Sequence, residues 1–380
     1  MKYISIIAVL IVSISCKSES EHTLEINDFV STFDFLKAPK GFNVEIYAEG
    51  VEDARQMARS PEEIIYVGTR RAGKIYALID EDNDYKADTV LTVASGFRMP
   101  NGVAFLENDL YVAEVSKIWK YENIDDHLDN TPIPKLINDT FPTESSHGWK
   151  YIAFGPDNKL YVPVGAPCNV CNKEDENPIY ASLTRMDADS KNREIIAHGI
   201  RNTVGFTWHT NTKNLWFTDN GRYWMGDDIA PCELNELTVE GSHFGFPFLH
   251  GTEIWDSEFG SEQEIRNRNF VKPIQDLGAH VAPLGVMFYT GDMFPSTYKN
   301  QAFIAGHGSW NRSERIGYQI IIVTLNDEGT ATSYQPFITG WLQGKEDIKG
   351  RPVAFLELPD GSILISDDYS GRIYRVTYMG

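Results

Sequence analysis

The chain has 380 residues, 42% of them hydrophobic and 12% aromatic, and its 34 basic against 54 acidic side chains give a net charge of −20. This apolar content is too high for a disordered protein. The negative charge argues against nucleic-acid binding, which depends on cations that neutralise phosphates. No internal apolar run approaches the ~20 residues of a membrane-spanning helix, so we expect an acidic globular protein.

The N-terminus has the pattern of a signal peptide. Lys2 is the only charge before Cys16, and residues 3–15 are almost wholly apolar. The letters SISC followed by KSESEH are similar to a bacterial lipoprotein cleavage site, at which the cysteine is acylated. The expected location is the periplasm or the outer membrane, with the lipid as the membrane attachment, and the alternative is plain secretion. The expected segments are a signal peptide at 1–15, a lipidated cysteine with a polar tether at 16–35, and one large domain at 36–380.

Short β-rich segments separated by Gly, Pro, Asn and Asp recur after residue 30, whereas helix signatures are scarce. One phrase occurs six times: an apolar stretch, a polar turn, and a pair of aromatic or aliphatic residues. The pairs are Tyr66-Val67, Tyr111-Val112, Tyr161-Val162, Trp216-Phe217, Phe303-Ile304 and Leu364-Ile365, spaced by 45, 50, 55, 87 and 61 residues. The first spacings are near the length of a four-stranded propeller blade, and the longest predicts an insertion around 225–280. We therefore predict an all-β, six-bladed β-propeller with long inter-strand loops on one face.

The two ends of each phrase should meet on one face of this propeller. Its two strands are antiparallel, so the start of the first lies beside the end of the second. Residues before the first strands are Arg55-Gln56, Asn101-Gly102, His147-Gly148, Arg201-Asn202, Pro283 and Arg351-Pro352. Residues after the second strands are Glu114, Gly165, Asp219-Asn220-Gly221-Arg222, Gly306-His307-Gly308 and Asp367-Asp368. Scattered surface arginines would have no reason to share this position, so we expect a functional site at this mouth of the channel.

Three cysteines follow Cys16. Cys168 and Cys171 can close a small disulfide ring in an oxidising compartment, which would leave Cys232 unpaired. No histidine follows Cys171 to complete a c-type haem attachment site, and no second CxxC completes a zinc site. We therefore expect a stapled loop.

Seven stretches carry a resemblance to a known family. They are FRMPNGVAF, SHGWKYIAFGPDNKLYVPVGAPCNVC, GIRNTVGFTW, LWFTDNGRYWMGDD, CELNEL, GHGSWNRSERIGY and GRPVAFLELPDGSILISDDYSGRIYRVTY, in order over about residues 40–380. They resemble the soluble quinoprotein sugar dehydrogenases, in particular the sorbosone-dehydrogenase-like branch. The resemblance implies a six-bladed catalytic propeller that oxidises an aldose or related sugar aldehyde with pyrroloquinoline quinone (PQQ) and Ca²⁺. It also implies an external electron acceptor, such as a cytochrome or a quinone.

The resemblance also implies roles for individual residues. His147 is the base that takes a proton from the anomeric hydroxyl while a hydride moves to the quinone C5 carbon. Arg201 polarises the C5 oxygen together with Ca²⁺, and Asn202 binds the cofactor edge. PQQ carries three carboxylates, and arginine forks suit carboxylates best. The expected cofactor residues are therefore Arg201, Asn202, Arg312 and Arg351, with Arg222 and Arg372 as further options.

The calcium of this family is held partly by backbone carbonyls, which carry over to Gly221 and Arg222. Better-known members have proline at the second position, so this sequence departs from their pattern. Nearby carboxylates at Asp227, Asp228 and Glu233 are either further oxygen ligands or a solvated acidic loop. A separate acidic stretch from Asp80 to Asp88 has the spacing of a calcium loop, but it lacks the central glycine and final glutamate, which favours a solvated hairpin tip.

Several other residues and two other functions stay open. His307 shares the position at the mouth, although its glycine neighbours suit a tight turn equally well. We expect Trp149, Trp208 and Trp216 to pack between blades, and Trp224, Trp255 and Trp310 are candidates for framing a cofactor or a sugar ring. The alternative functions are a calcium-dependent propeller hydrolase of the lactonase type, which needs a carboxylate-lined axial metal, and a non-catalytic binding propeller.

Overall fold

The computed structural model describes residues 24–261, 263 and 267–380. The predicted signal peptide and Cys16 lie outside these residues. Six antiparallel four-stranded arrays form the blades of a propeller, which confirms the predicted fold. Within the described residues, no helix is both long enough and apolar enough to cross a bilayer.

The blades are numbered by the order of their first strands, and each is a meander of strands consecutive in the sheet. Blade 1 comprises Ala54–Arg59, Ile65–Thr69, Lys74–Ile79 and Thr89–Ser95, and blade 2 comprises Gly102–Leu106, Asp109–Ala113, Ile118–Tyr121 and Lys135–Asn138. Blade 3 comprises Ala153–Phe154, Leu160–Val164, Ser182–Met186 and Glu194–His198, with Ser242–His243 as a fifth, parallel strand. Blade 4 comprises Phe206–Trp208, Leu215–Asp219, Pro231–Leu237 and Gln275–Ala279, and blade 5 comprises Pro283–Phe288, Ala302–Gly306, Gln319–Leu325 and Ala331–Ile338.

Blade 6 closes the ring by joining the two ends of the domain. Its first three strands are Pro352–Glu357, Ile363–Asp367 and Arg372–Tyr378, and its fourth is the N-terminal strand Phe42–Glu49. Smaller elements decorate the blades: hairpins Phe29–Phe33/Leu36–Pro39, Leu249–His250/Ile254–Trp255 and Leu342–Gln343/Asp347–Ile348, and 3-10 helices Ile124–Asn130 and Ser296–Tyr298. Part of the segment predicted as a tether, 16–35, thus forms a strand that packs on the domain.

The repeated residue pairs lie in the second strands and explain how the blades stack. Successive side chains of a strand point to opposite faces. Tyr66 therefore packs towards blade 2, whereas Val67 packs towards blade 6. The same split holds for Phe303 and Ile304, which face blades 6 and 4. Because both faces of every blade are buried, both members of each pair must be apolar.

The strand pairing confirms that the ends of the phrases share one face. Ala54 pairs with Thr69, Pro283 with Gly306, and Pro352 with Asp367. We call this side of the propeller the site face. The long connections on it include 165–181, 220–230, 307–318 and 339–351.

The cysteines are arranged as predicted. Cys168 and Cys171 form a disulfide on the site face, and Cys232 is free and buried. The acidic stretch from Asp80 to Asp88 forms the turn between the third and fourth strands of blade 1, where Asp80 accepts backbone hydrogen bonds from Asp84 and Tyr85 at 3.2 and 2.8 Å.

Phe303 tests the packing between blades 5 and 6. Its fully buried ring belongs to a hydrophobic cluster that includes Ile365 and Tyr374 of blade 6. Because Phe303→Ala leaves a cavity, we expect a loss of about 3–5 kcal/mol of stability, measured by urea denaturation. Val239→Ala is the control, since Val239 is exposed and its change should stay within about 0.5 kcal/mol. Equal losses for the two variants would contradict this packing.

Candidate active site

A cavity of about 560 Å³ opens on the site face. Seven positions predicted at the mouth line it: Arg55, His147, Asn202, Asn220, His307, Gly308 and Arg351. The described residues that line it include four arginines (Arg55, Arg70, Arg71 and Arg351) and no aspartate or glutamate. An acidic protein therefore has a pocket of concentrated positive charge, which suits an anionic ligand.

His147 is held in one orientation in the wall of this cavity. Its Nδ1 lies 2.8 Å from the carbonyl oxygen of Ala166, so Nδ1 carries the proton and donates it. Nε2 then has a free lone pair and no partner among the described residues. Burial, and secondarily the charge of Arg201, lower the pKa of His147 to about 3. The imidazole is therefore a neutral acceptor at ordinary pH.

The backbone of His147 also needs a special neighbour. His147 has a φ of +50°, a conformation uncommon for residues other than glycine. A Cβ atom on Gly165 would lie only 2.6 Å from the Cβ of His147. Gly165, which ends the predicted second-strand phrase, therefore provides the space in which this histidine sits.

Arg201 and Asn202 are positioned by an aspartate on the adjacent strand. The carboxylate of Asp219 accepts the backbone N–H groups of Arg201 and Asn202 at 2.8 and 2.6 Å. Asp219 ends the second strand of blade 4, and burial raises its pKa to about 6. In blade 6, Asp367 holds the backbone of Arg351 in the same way, at 2.8 Å. Aspartates at the ends of second strands thus fix the arginines that precede first strands.

Arg201 itself lies behind the cavity wall, 2% exposed. Its Nε donates to the carbonyl of Asn169 at 2.8 Å, one terminal nitrogen to the side-chain oxygen of Asn169 at 3.0 Å, and the other to the carbonyl of Asn220 at 3.0 Å. The guanidinium lies 5.0 Å from the ring centroid of Tyr223, which does line the cavity.

Asn169 connects this arginine to the cavity wall. Its side chain accepts the backbone N–H of Tyr223 at 2.8 Å and donates to the carbonyl of Tyr223 at 3.0 Å. Asn169 lies inside the four-residue ring closed by Cys168 and Cys171. The disulfide therefore encloses the residue that holds both Arg201 and Tyr223.

His307 and Arg55, which line the cavity, both bind the carboxylate of Asp368. Nε2 of His307 lies 2.9 Å from Asp368, and Arg55 donates to Asp368 at 2.8 Å and to Asn101 at 2.7 Å. Burial alone would raise the pKa of Asp368, but His307 and Arg55 outweigh this effect and lower it. Because the charge of Asp368 is offset by these partners, it does not cancel the positive character of the cavity.

Arg70 and Trp149 form the most distinctive part of the wall. The Arg70 guanidinium lies 3.8 Å above the centroid of the Trp149 ring. The Arg70 Nε and the Trp149 Nε1 atoms are buried and have no hydrogen-bond partner among the described residues. Burial and the neighbouring Arg55 and Arg71 lower the pKa of Arg70 to about 10. Two nitrogen atoms that can donate hydrogen bonds are therefore left without an acceptor in the described residues that line the cavity.

The other predicted cations lie outside the cavity lining. Arg312 contacts the carbonyl of Asp227 and the carboxylate of Asp228 at 2.9 Å. Arg222 pairs with Asp256, and Arg372 pairs with Glu49 at 2.9 Å. The structure thus brings Arg351 and Asn202 to His147, with Arg201 directly behind, and it leaves Arg312 in the flanking loops.

The residues predicted around calcium are split between two environments. Gly221 follows Asn220, a lining residue, and packs so closely that a Cβ would lie 2.5 Å from the carbonyl oxygen of Pro231. Glu233 is buried opposite Asp219, and burial, with that neighbouring charge, raises its pKa to about 8. Asp227 contacts Ser313 and is solvent-facing, as expected of an acidic loop.

The sequence analysis missed several lining residues. Two of them follow from its expectation that residues directly after a second strand lie at the mouth of the channel. Arg70 and Arg71 directly follow the second strand of blade 1, Ile65–Thr69, which is a position at the mouth. Trp149 packs, as expected, against apolar residues that several blades contribute, among them Leu284 and Val353, and its ring also lies under Arg70 in the cavity wall. Trp310, a candidate for framing a ligand, does line the cavity, with 57% of its surface exposed.

A family model described as Domain of unknown function (DUF7133) matches residues 43–379. The chain belongs to this family. An uncharacterized protein of Borreliella burgdorferi is 34% identical over 372 residues, which cover 94% of each chain. A PQQ-dependent pyranose dehydrogenase of Coprinopsis cinerea is 28% identical over 131 residues, which are 30% of this chain and 17% of that protein.

Solved structures share the fold of this DUF7133 protein. A Trichoderma reesei carbohydrate-active enzyme of family AA12 has a TM-score of 0.78 at 18% identity, covering 93% of this chain and 100% of that one. The PQQ domain of the Coprinopsis cinerea pyranose dehydrogenase has a TM-score of 0.74 at 17% identity, covering 91% and 98%. A PQQ-bound aldose sugar dehydrogenase of Streptomyces coelicolor has a TM-score of 0.63 at 19% identity, covering 90% and 99%. The fold resemblance indicated by the sequence motifs is confirmed.

Asn169 tests how the cavity wall is held. In Asn169→Ala the N–H of Tyr223 loses its acceptor, so we expect its hydrogen exchange to accelerate by roughly fivefold or more. The matched control is Asn172→Ala in the same loop, where the side chain accepts the N–H of Glu174 at 3.0 Å. Unchanged exchange at Tyr223 in Asn169→Ala, measured by NMR or mass spectrometry, would show that the wall does not depend on this residue.

Proposed function

We propose that this protein is a PQQ- and Ca²⁺-dependent dehydrogenase that oxidises an aldose or a related sugar aldehyde. The observation that carries the proposal is the set of four arginines around a cavity whose described lining has no carboxylate. PQQ is a flat trianion, and guanidinium groups bind carboxylates with charge-assisted, paired hydrogen bonds. The fold shared with PQQ-dependent sugar dehydrogenases supports the same assignment.

The residues present fit such a cofactor. The unpartnered Arg70 Nε and Trp149 Nε1 atoms are donors, and buried donors are normally paired. The rings of Trp149 and Tyr223 provide flat surfaces in a lining that also contains Arg351. When bound, PQQ supplies the carbonyl carbon that accepts a hydride from the sugar.

His147 supplies the proton chemistry in this proposal. With Nδ1–H donated to Ala166, the Nε2 lone pair accepts the proton of the anomeric hydroxyl. Burial lowers the pKa of His147 and so keeps it neutral, and the charge of Arg201 adds to this effect. Arg201 would also stabilise negative charge that develops beside the imidazole. His307 contributes a second fixed imidazole, oriented by Asp368.

Calcium would find neutral oxygen atoms at the cavity. Asn202 and Asn220 line it, and their side-chain oxygens have no partner among the described residues. Oxygen donors of this kind suit Ca²⁺, with the carbonyls of Gly221 and Arg222 as the further ligands that the sequence implies. The ion would add further positive charge beside Asn202 and Asn220 in the cavity.

The compartment and the electron acceptor belong to the same proposal. The Cys168–Cys171 disulfide is consistent with an oxidising compartment, as is the signal-peptide pattern. We propose a periplasmic or outer-membrane lipoprotein that passes electrons to an external cytochrome or quinone. The lactonase-type alternative is disfavoured, because it needs carboxylates around an axial metal, whereas arginines surround this cavity.

Arg70 tests the cofactor cavity. With Ca²⁺ present, we expect PQQ to quench the tryptophan fluorescence of the wild-type protein in a saturable titration. Arg70→Met should weaken this binding by roughly 10–100-fold, because a buried charge-assisted contact is lost. Arg59→Met is the control, since Arg59 ends the first strand of blade 1 at the opposite face and pairs with Glu63 at 2.5 Å. Equal affinity of Arg70→Met and wild type would remove Arg70 from the site.

His147 tests the chemistry. With PQQ, Ca²⁺ and an electron-accepting dye, we expect at least one aldose to be oxidised, and His147→Ala should lower kcat by about 10²–10⁴ while PQQ affinity stays close to that of wild type. Because the pKa of His147 is about 3, the wild-type kcat should not fall between pH 7 and pH 5.

The contrary outcomes are distinct. If no sugar reduces the dye and PQQ does not bind, the dehydrogenase proposal is wrong. A loss of PQQ affinity without a loss of kcat in His147→Ala would contradict its role as base. Hydrolysis of a lactone by the Ca²⁺-loaded protein would instead favour the hydrolase.

A further inference from the structure

A second groove lies beside the cavity on the site face, where blade 6 meets blade 1. It has a volume of about 490 Å³. Three connections form it: 50–53, which joins the two blades, 70–73 in blade 1, and 368–371 in blade 6. Arg71 lines both the groove and the cavity, so the two are adjacent.

The walls of this groove are held by backbone hydrogen bonds. One carboxylate oxygen of Asp53 accepts the N–H groups of Arg70, Arg71 and Ala72, the outer two at 3.1 and 3.0 Å. Val51 donates to the carbonyl of Gly371 at 3.0 Å. The three connections are thus tied together into a fixed surface.

The groove nevertheless presents polar groups that the described residues leave without partners. The Arg71 guanidinium makes no hydrogen bond or ion pair with them, and the second carboxylate oxygen of Asp53 accepts none. Tyr369 is 58% exposed, and its hydroxyl has no partner within the described part of the chain. A flat ring, free donors and a free acceptor therefore surround one space.

We propose that this groove is a saccharide subsite and that the substrate is a di- or oligosaccharide. The proposal rests on the dehydrogenase function above. The reducing ring would lie at His147, and the next ring would enter the groove and pack on Tyr369. Hydroxyl-rich rings need donors and acceptors together with a flat apolar surface, and all three are present here. The carboxylates of Glu52 and Asp53 make the groove unsuitable for an anionic ligand.

Binding energy from a second ring can be used at the reacting centre. Contacts remote from the chemistry raise kcat/KM when they position the reacting ring. A substrate that fills the groove should therefore be oxidised more efficiently than its own reducing ring alone. Tyr369 would then determine specificity for chain length without touching the reacting atoms.

The experiment compares glucose with maltose and cellobiose, and xylose with xylobiose. For each pair, kcat/KM is measured by dye reduction with PQQ and Ca²⁺, and binding to the cofactor-free protein is measured by saturation-transfer NMR. We expect a disaccharide to be preferred, and Tyr369→Ala to lower the disaccharide-to-monosaccharide ratio of kcat/KM by about fivefold. Tyr369→Phe keeps the ring and should retain most of the preference.

Trp224→Ala is the matched control. Trp224 was a candidate for framing a ligand, but the structure places it 70% exposed on the same face and in the lining of neither the cavity nor the groove. The ratio should not change in this variant. Because Tyr369 and Trp224 are both exposed, neither substitution removes a buried contact on which folding depends.

Each outcome decides the proposal. If sugars are oxidised but no disaccharide is preferred, or Tyr369→Ala leaves the preference intact, the subsite is refuted and the dehydrogenase function stands. If disaccharides bind in a Tyr369-dependent way but no sugar is oxidised, the subsite is supported and the dehydrogenase function is refuted. If sugars are neither bound nor oxidised, both proposals are wrong.

Discussion

The antiparallel pairing of the first two strands in each blade determines where the functional side chains lie. Since the start of one strand meets the end of the next, a residue that precedes a first strand lies beside a residue that follows a second strand. Aspartates at the second kind of position then bind the backbone of arginines at the first kind, as Asp219 does for Arg201 and Asp367 does for Arg351. The sheet therefore both delivers these arginines and fixes them.

The aspartates in this arrangement stabilise it, but none of them lines the cavity. Three aspartates lie near the cavity: Asp219, Asp367 and Asp368. Their carboxylate oxygens accept hydrogen bonds from backbone N–H groups or from partners such as Arg55 and His307. The lining itself keeps the guanidinium groups. In this way an acidic protein can present a cationic pocket, because the position of charges matters more than their sum.

The propeller could be predicted from the sequence because its repeats are a packing requirement. Both faces of every blade are buried, so a pair such as Tyr66-Val67 must be apolar in each copy. His147 and Arg351 were also predictable, because their position in the phrase and the family motifs agree. The same rule identifies Arg70 and Arg71 once it is applied to the end of the second strand in blade 1.

Other features of the site depend on the directions in which side chains point, which the sequence motifs do not predict. Arg201 follows the motif, yet its guanidinium turns towards Asn169 within the disulfide ring. Arg312 lies in a long loop and finds acidic neighbours of its own, Asp227 and Asp228. Trp149 packs against apolar residues of several blades, but the sequence pattern does not show that the cation of Arg70 also lies over its face at the cavity.

The arginines of the cavity also interact unfavourably with one another, and an anion between them would reduce this repulsion. Burial lowers the pKa of Arg70, and repulsion from Arg55 and Arg71 lowers it further. A bound polycarboxylate would reverse this repulsion and pair the orphaned Arg70 Nε at the same time. Since a ligand that binds only the folded state stabilises it, the protein should resist unfolding better with such an anion than without it. In the proposed function, relief of this repulsion would add to the affinity for an anionic cofactor, and the rigid propeller holds the charges close together.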